Sequence, residues 1–275
     1  MLKSKKKLII ILSIVLVIVA IIIISSALFS LKSVSIEYAS LLKNDSVMST
    51  YDKEEIVKVG NFAYNKNILF ISYDGAKERI EKAFPYVKVE KFVRNFPNGV
   101  VVYLTERQPV FAKVRSDGRY VVFDGELKVL EVAVSLSGAA TGIPVLSAPD
   151  ISVDTLKAGE TYSNNALQTI AFNLKRGIFD NDVDLPISIM SSLSFTEGNT
   201  NEEYVVNITL NDGAKIEIKG INNFAEKVLG AFYTYKTKVK DDDTQYPYKN
   251  KVTVKVEEDF TLAERGKVVP VEVDE

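Results

Sequence analysis

The distribution of apolar and charged residues separates a short apolar segment from a long mixed remainder. Residues 8–29 carry no charge and are almost all apolar, and they follow a lysine-rich start at residues 1–7. A helix of ~20 apolar residues crosses the ~30 Å hydrocarbon core of a bilayer, so residues 8–29 predict one transmembrane helix. Because only lysines precede this segment while mixed charges follow it (Lys32, Glu37, Lys43, Asp45), residues 1–7 are expected in the cytoplasm and the rest outside it.

A cleaved signal peptide is the alternative interpretation of this apolar segment. Ser25 and Ala27 are small residues at the spacing of a cleavage site. The apolar core of a signal peptide usually covers about 7–15 residues, however, and the segment here is longer. A retained anchor is therefore the preferred prediction.

Residues 31–107 follow the pattern strand, helix, helix, strand, strand. Asp52 is a typical helix start, and Gly60 is expected to end that helix. A second helix has apolar residues at helical spacing, and Asn98-Gly99 is typical of a β-hairpin. The predicted elements are strands near 34–36, 87–96 and 100–106, and helices at 52–60 and 76–84. They indicate two helices laid on a three-stranded sheet.

Residues 108–260 show a pattern that is richer in strands. Ser163 can cap a helix that Gly177 ends, and residues 211–213 form a hairpin turn. Residues 261–275 are mostly polar and are predicted to be a flexible tail. The predicted strands are 110–115, 119–124, 127–132, 203–210, 214–219 and 251–256, and the predicted helices are 164–176 and 223–238. The fold class is therefore α+β, with a mixed β-rich domain and flanking helices after the first module.

Composition and charge narrow the possible functions. The net charge of -2 over 275 residues combines +4 before the apolar segment with -6 after it, which makes nucleic acid an unexpected partner. The chain has no cysteine and no histidine. These absences exclude disulfides, thiolate zinc sites and histidine-dependent catalysis.

Three short motifs resemble parts of catalytic or metal-binding signatures, but none of them is complete. Residues 40–43 read Ser-x-x-Lys, but the other motifs of penicillin-interacting enzymes do not follow. Asp180, Asp182 and Asp184 copy the start of a calcium loop that lacks its glycine and its final glutamate, and residues 241–243 are a run of aspartates. We predict no catalytic residue, no metal site and no cofactor. Hydrolysis by carboxylates alone stays open.

One stretch resembles a known family. Pro85-Tyr86-Val87, Arg94-Asn95-Phe96-Pro97 and Glu106-Arg107-Gln108-Pro109-Val110-Phe111-Ala112 are similar in order and spacing to the signature of the bacterial cell-division family FtsQ/DivIB, with Phe111 as an insertion. Weaker matches lie at residues 118–124, 143–146 and 211–218. Taken alone, Glu106 and Arg107 are equally explained as an exposed ion pair at a strand end.

The resemblance implies a bitopic scaffold with a POTRA domain at residues 31–107 and a β domain at 108–260. Members of this family bind FtsL and FtsB/DivIC-type partners outside the cytoplasm and help to control septal peptidoglycan synthesis. The expected location is the cell membrane, concentrated at the division septum. The resemblance implies no enzymatic activity and no small-molecule substrate.

The last strand, at residues 251–256, is the predicted partner-binding site. A strand at a sheet edge can accept another strand, and lysines on it either select an acidic partner or only protect the edge. Residues 246–248 depart from many relatives, which carry an Asp-Leu-Arg-like strand after the preceding helix. The predicted partner-binding residues are Tyr248, Lys251, Val252, Val254, Lys255 and Val256.

Two other functions compete with the scaffold interpretation. The first is a membrane-anchored cell-wall hydrolase or transferase that uses carboxylates. The second is a POTRA-containing chaperone of an export machine. Such chaperones usually carry tandem POTRA repeats, and this sequence indicates only one.

Overall fold

The computed structural model describes residues 2–39, 47–179, 187–240, 244–257, 259–260, 268 and 270–272. The chain divides into two compact units, Met1–Glu106 and Arg107–Glu275. Both units combine helices with β-sheet, so the predicted α+β class is confirmed.

A single apolar helix, α1 (Leu2–Leu28), opens the first unit. Its stretch Ile11–Leu28 is the one place in the described part of the chain that is long and apolar enough to cross a membrane. Apolar side chains are exposed on all sides of it, with Leu16 at 70% and Ile24 at 65%. A helix that is apolar all round needs an apolar environment, and α1 is therefore consistent with a membrane anchor.

The rest of the first unit has the predicted order of elements. These are β1 (Ser33–Tyr38), α2 (Lys53–Gly60), α3 (Asp74–Ala83), β2 (Val87–Asn95) and β3 (Gly99–Glu106). The sheet order is β1-β3-β2, with β1 parallel and β2 antiparallel to β3. Side chains from both helices and all three strands form one core, which includes Ile36, Ile56, Ile80, Val89 and Leu104.

The residues at the two ends of α2 explain where this helix begins and ends. Asp52 is the N-cap as predicted, and its carboxylate accepts a hydrogen bond of 2.9 Å from the Glu54 amide. Gly60 does not end the helix by a positive φ, because that conformation falls on Asn61 at φ 45°. Gly60 is required for space instead, since a Cβ there would overlap the ring of Phe62.

The described part of the second unit forms one nine-stranded sheet and two helices. In chain order these are β4 (Pro109–Val114), β5 (Tyr120–Asp124), β6 (Val129–Ala133), β7 (Val145–Ser147), α4 (Asn165–Phe179), β8 (Met190–Thr196), β9 (Val205–Leu210), β10 (Lys215–Lys219), α5 (Phe224–Thr234), β11 (Val252–Val256) and β12 (Pro270–Glu272). The strand order is β12-β11-β10-β9-β8-β7-β4-β5-β6. The helices contact each other, and α5 also packs on β10 and β11.

Several predicted boundaries in this unit are wrong. The cap of α4 is Asn164 rather than Ser163, because the Asn164 side chain accepts a hydrogen bond of 2.9 Å from the Leu167 amide. The helix also continues past Gly177. The prediction misses β8, whose serines weaken the alternation of apolar residues. Beyond α5, the segment Tyr235–Lys240 continues as a π-helical turn.

Arg107 is the first residue of the second unit, and it forms a buried ion pair. It is 6% exposed, and its guanidinium lies 2.6 Å from the Asp124 carboxylate and 2.7 Å from the Glu126 carboxylate. Asp124 also accepts hydrogen bonds from the amides of Glu126 and Lys128. The interpretation of Glu106 and Arg107 as an exposed ion pair is therefore wrong for Arg107, whose described partners come from the β5–β6 turn.

Removing this buried cation is predicted to destabilise the second unit. Arg107→Gln leaves the buried Asp124 carboxylate without its cation, and the expected loss is about 3–5 kcal/mol of unfolding free energy. The control is Arg119→Gln, since Arg119 pairs with Asp117 at the surface and lowers the pKa of that carboxyl by hydrogen bonding. Denaturant unfolding followed by circular dichroism measures both, and equal midpoints would contradict this role for Arg107.

Two helical glycines are predicted to respond oppositely to alanine. Gly60→Ala lowers stability by about 1–3 kcal/mol, because the new Cβ meets the buried Phe62 ring. Gly75→Ala raises stability by up to about 1 kcal/mol, since its Cβ would meet only the guanidinium end of the long Arg79 side chain, at 3.2 Å. The unfolding midpoints of the two variants test this, and a stabilised Gly60→Ala variant would refute the packing argument.

Candidate partner-binding edge of the second sheet

The strand predicted at residues 251–256 is present as β11, one residue shorter at its start. Val252, Val254 and Val256 are buried, as the alternating pattern predicts, while Lys255 is exposed. Lys251 belongs to the 3₁₀ turn Lys249–Lys251 before the strand. Thr253 is buried as well, so Lys255 is the exposed side chain of this strand.

The expectation that β11 is the free edge is wrong. β11 pairs in parallel with β10 on one side and antiparallel with β12 on the other. The register sets Val252 opposite Glu272, Thr253 opposite Val271 and Val254 opposite Pro270. The edge of the sheet is therefore one strand further out than the sequence predicts.

β12 also corrects the prediction that residues 261–275 are a loose tail, at least for Pro270–Glu272. The sequence signal for it is the short apolar run at residues 268–271, which the surrounding polar residues obscure. Val268 is 4% exposed, and its carbonyl accepts a hydrogen bond of 3.2 Å from Lys238 Nζ. Pro270 is buried as well. These contacts hold the segment against the fold.

The exposed groups around this edge include aromatic, apolar and basic side chains and the Glu257 carboxylate. Tyr248 is 65% exposed, and Lys251 Nζ lies 5.8 Å from the centroid of its ring. Val271 is 44% exposed on β12. Because Pro270 has no backbone N–H, it limits the donors that β12 can offer to another strand.

The lysines near the edge differ in their partners. Lys219 Nζ lies 2.8 Å from the Glu257 carboxylate, and this hydrogen bond raises the pKa of Lys219. Lys255 has no ion pair among the described residues. Lys255, which the register sets opposite Glu217 of β10, is therefore a lysine that a carboxylate of another segment could pair with.

The motifs that suggested chemistry lie outside the described residues. This applies to residues 40–43, to Asp180, Asp182 and Asp184, and to residues 241–243. Within the described ranges, no group of three or more carboxylates could hold a metal ion.

The order of elements defines the class of protein: an apolar helix, a β-α-α-β-β unit and a β-rich unit. The family model described as "POTRA domain, FtsQ-type" matches residues 29–107, which confirms the predicted POTRA domain. This domain match and the curated relatives named FtsQ and DivIB support a cell-division protein of the FtsQ/DivIB family.

Three curated relatives support this assignment. The chain is 26% identical to the cell division protein FtsQ of Koribacter versatilis over 213 residues, which are 76% of this chain and 55% of that protein. It is 26% identical to the cell division protein DivIB of Clostridium acetobutylicum over 40% of each chain. It is 27% identical to the cell division protein FtsQ of Corynebacterium glutamicum over 43% of this chain and 56% of that one. The match spans about half the length of these relatives.

Proposed function

We propose that this chain is a non-enzymatic scaffold of the bacterial division apparatus. The FtsQ-type POTRA domain directly after an apolar helix is the observation that carries the proposal. In this arrangement α1 anchors the chain, residues 1–7 lie in the cytoplasm, and both units work outside it. The partners are FtsL-like and FtsB/DivIC-like bitopic proteins, and the assembly helps to control septal peptidoglycan synthesis.

Anchoring contributes to the function by restricting diffusion. Confining several bitopic proteins to one membrane raises their effective concentration toward one another. Modest contacts by each unit can then hold a complex at the septum, without a single large interface.

A fluorescent fusion at the N-terminus tests the division role in dividing cells. A band at midcell is expected, and a uniform peripheral signal would contradict the proposal.

Incubation of the purified chain with peptidoglycan tests the non-enzymatic role. Release of soluble fragments would favour the anchored hydrolase instead.

The partner segment is proposed to bind as an extra strand at the outer edge of β12. Tyr248, Lys251 and Lys255 then lie near the added strand, and β12 stands between it and the buried Val252, Val254 and Val256 of β11. An added strand gains main-chain hydrogen bonds, while the lysines favour a segment that carries carboxylates.

A cross-strand disulfide distinguishes addition at β12 from displacement of β12. Thr253 and Val271 are directly opposite, so Thr253→Cys with Val271→Cys ties β12 to β11, and the chain has no other cysteine to interfere. Partner capture is expected to be equal in oxidised and reduced samples. Capture that is lost on oxidation and recovered on reduction would show that the partner replaces β12.

Charge reversal tests the electrostatic part of this site. Lys255→Glu is expected to reduce capture of the FtsB/DivIC-like partner several-fold, because it places a carboxylate beside the acidic segment. Lys157→Glu is the matched control, since Lys157 is also an exposed lysine of the second unit. A pulldown at low and moderate salt measures both. Equal losses would mean that only net charge matters.

A further inference from the structure

The first unit carries a group of exposed apolar side chains, which we call the apolar lip. Phe70 is 86% exposed and Phe96 is 58% exposed. Monomeric soluble surfaces rarely cluster large apolar groups in this way without a partner. The lip consists of Tyr64, Leu69, Phe70, Val93 and Phe96.

The lip is joined to the end of α1 by backbone hydrogen bonds. The Ile68 amide donates to the Phe29 carbonyl at 2.8 Å, and the Leu31 amide donates to the Lys66 carbonyl at 2.9 Å. The Asn65 amide donates to the Leu31 carbonyl at 3.0 Å. The loop that carries Tyr64, Leu69 and Phe70 is therefore a direct neighbour of the residues that follow the apolar helix.

A second set of contacts holds the lip on the sheet. Arg94 Nε donates to the Ile68 carbonyl at 2.7 Å, and the Lys32 amide donates to the Asn98 carbonyl at 2.8 Å. The rings of Phe29 and Phe96 meet edge to face, with centroids 5.9 Å apart. The exposed side chains thus project from a braced backbone.

These hydrogen bonds determine how far the lip lies from the bilayer. Ile68 lies beside Phe29, and the two residues from there to Phe70 span at most about 7 Å. The headgroup region on each side of the hydrocarbon core is about 5–7 Å deep. When α1 spans the bilayer, Phe70 is therefore within reach of that layer, where aromatic side chains are favoured.

The charge of the same segments differs from that of the rest of the exported chain. Residues 29–34, 61–73 and 91–98 contain no aspartate or glutamate. Their basic residues are Lys32, Lys66, Lys91 and Arg94. Since the chain after the apolar segment has a net negative charge, this local excess of cations is well suited to anionic headgroups.

We propose that the apolar lip inserts into the outer headgroup layer of the membrane that α1 crosses, with a preference for anionic phospholipid. The inference rests on the proposed membrane anchor. An amphipathic surface with apolar tips and flanking cations binds at a bilayer interface, and the anchor removes most of the cost of bringing it there. The first unit is then seated on the membrane instead of swinging from a flexible link.

Single tryptophans test this in the full-length chain, which has none of its own. The variants are Leu16→Trp in α1, Phe70→Trp in the lip, and Lys82→Trp on the last turn of α3. Position 82 precedes the start of β2, and the lip lies at the other end of that strand, about 25–30 Å away. Each variant is reconstituted into phosphatidylcholine–phosphatidylglycerol vesicles with and without brominated phosphatidylcholine, which quenches tryptophan by contact.

The proposal expects strong quenching at positions 16 and 70 and little at position 82. Quenching at position 16 without quenching at position 70 would overturn the insertion of the lip into the membrane. It would leave the anchor intact and would favour a protein partner for this surface. No quenching at 16 would refute the anchor, and the lip with it. Equal quenching at 70 and 82 would also refute it, because the contact would then be unspecific.

Vesicles without phosphatidylglycerol test the charge preference. Quenching at position 70 is expected to fall several-fold while quenching at position 16 stays the same. Lys66→Glu in the Phe70→Trp background should produce the same fall in anionic vesicles, and Lys82→Glu should not. An unchanged signal in neutral vesicles would overturn the preference for anionic lipid.

Discussion

The hydrogen bonds that join Phe29 and Leu31 to residues 65–68 are the constraint on which the first unit depends. They place a folded module directly at the end of an apolar helix, so that the chain has no loose link at this point. β1 then begins at Ser33 and pairs in parallel with β3. The end of the apolar helix therefore leads directly into the first strand of the sheet.

The second unit depends on a different interaction. Arg107 neutralises Asp124 in a buried position, and Asp124 in turn accepts two backbone amides of the β5–β6 turn. A buried carboxylate without such partners would be strongly unfavourable. This ion pair connects the start of the unit to its first hairpin, and it explains why an arginine follows the last strand of the POTRA domain.

The two ends of the large sheet are treated differently. At the β6 end, the segment at residues 159–160 hydrogen-bonds to the edge strand. The Val129 amide donates to the Glu160 carbonyl, and the Gly159 amide donates to the Val129 carbonyl. At the other end, a three-residue strand with a proline closes the sheet. A short edge strand with a proline resists indiscriminate pairing.

The sequence by itself determined the apolar helix, the β-α-α-β-β order, the hairpin turns and the resemblance to a family, because each depends on residues close together in the chain. An uncharged run, a helix cap such as Asp52 and an Asn-Gly pair act through neighbouring atoms. Only the tertiary structure decided that β12 pairs with β11, that Arg107 pairs with Asp124, and that Ile68 lies beside the end of the helix. These features join residues that are distant in sequence, and their short-range patterns are those of ordinary polar loops.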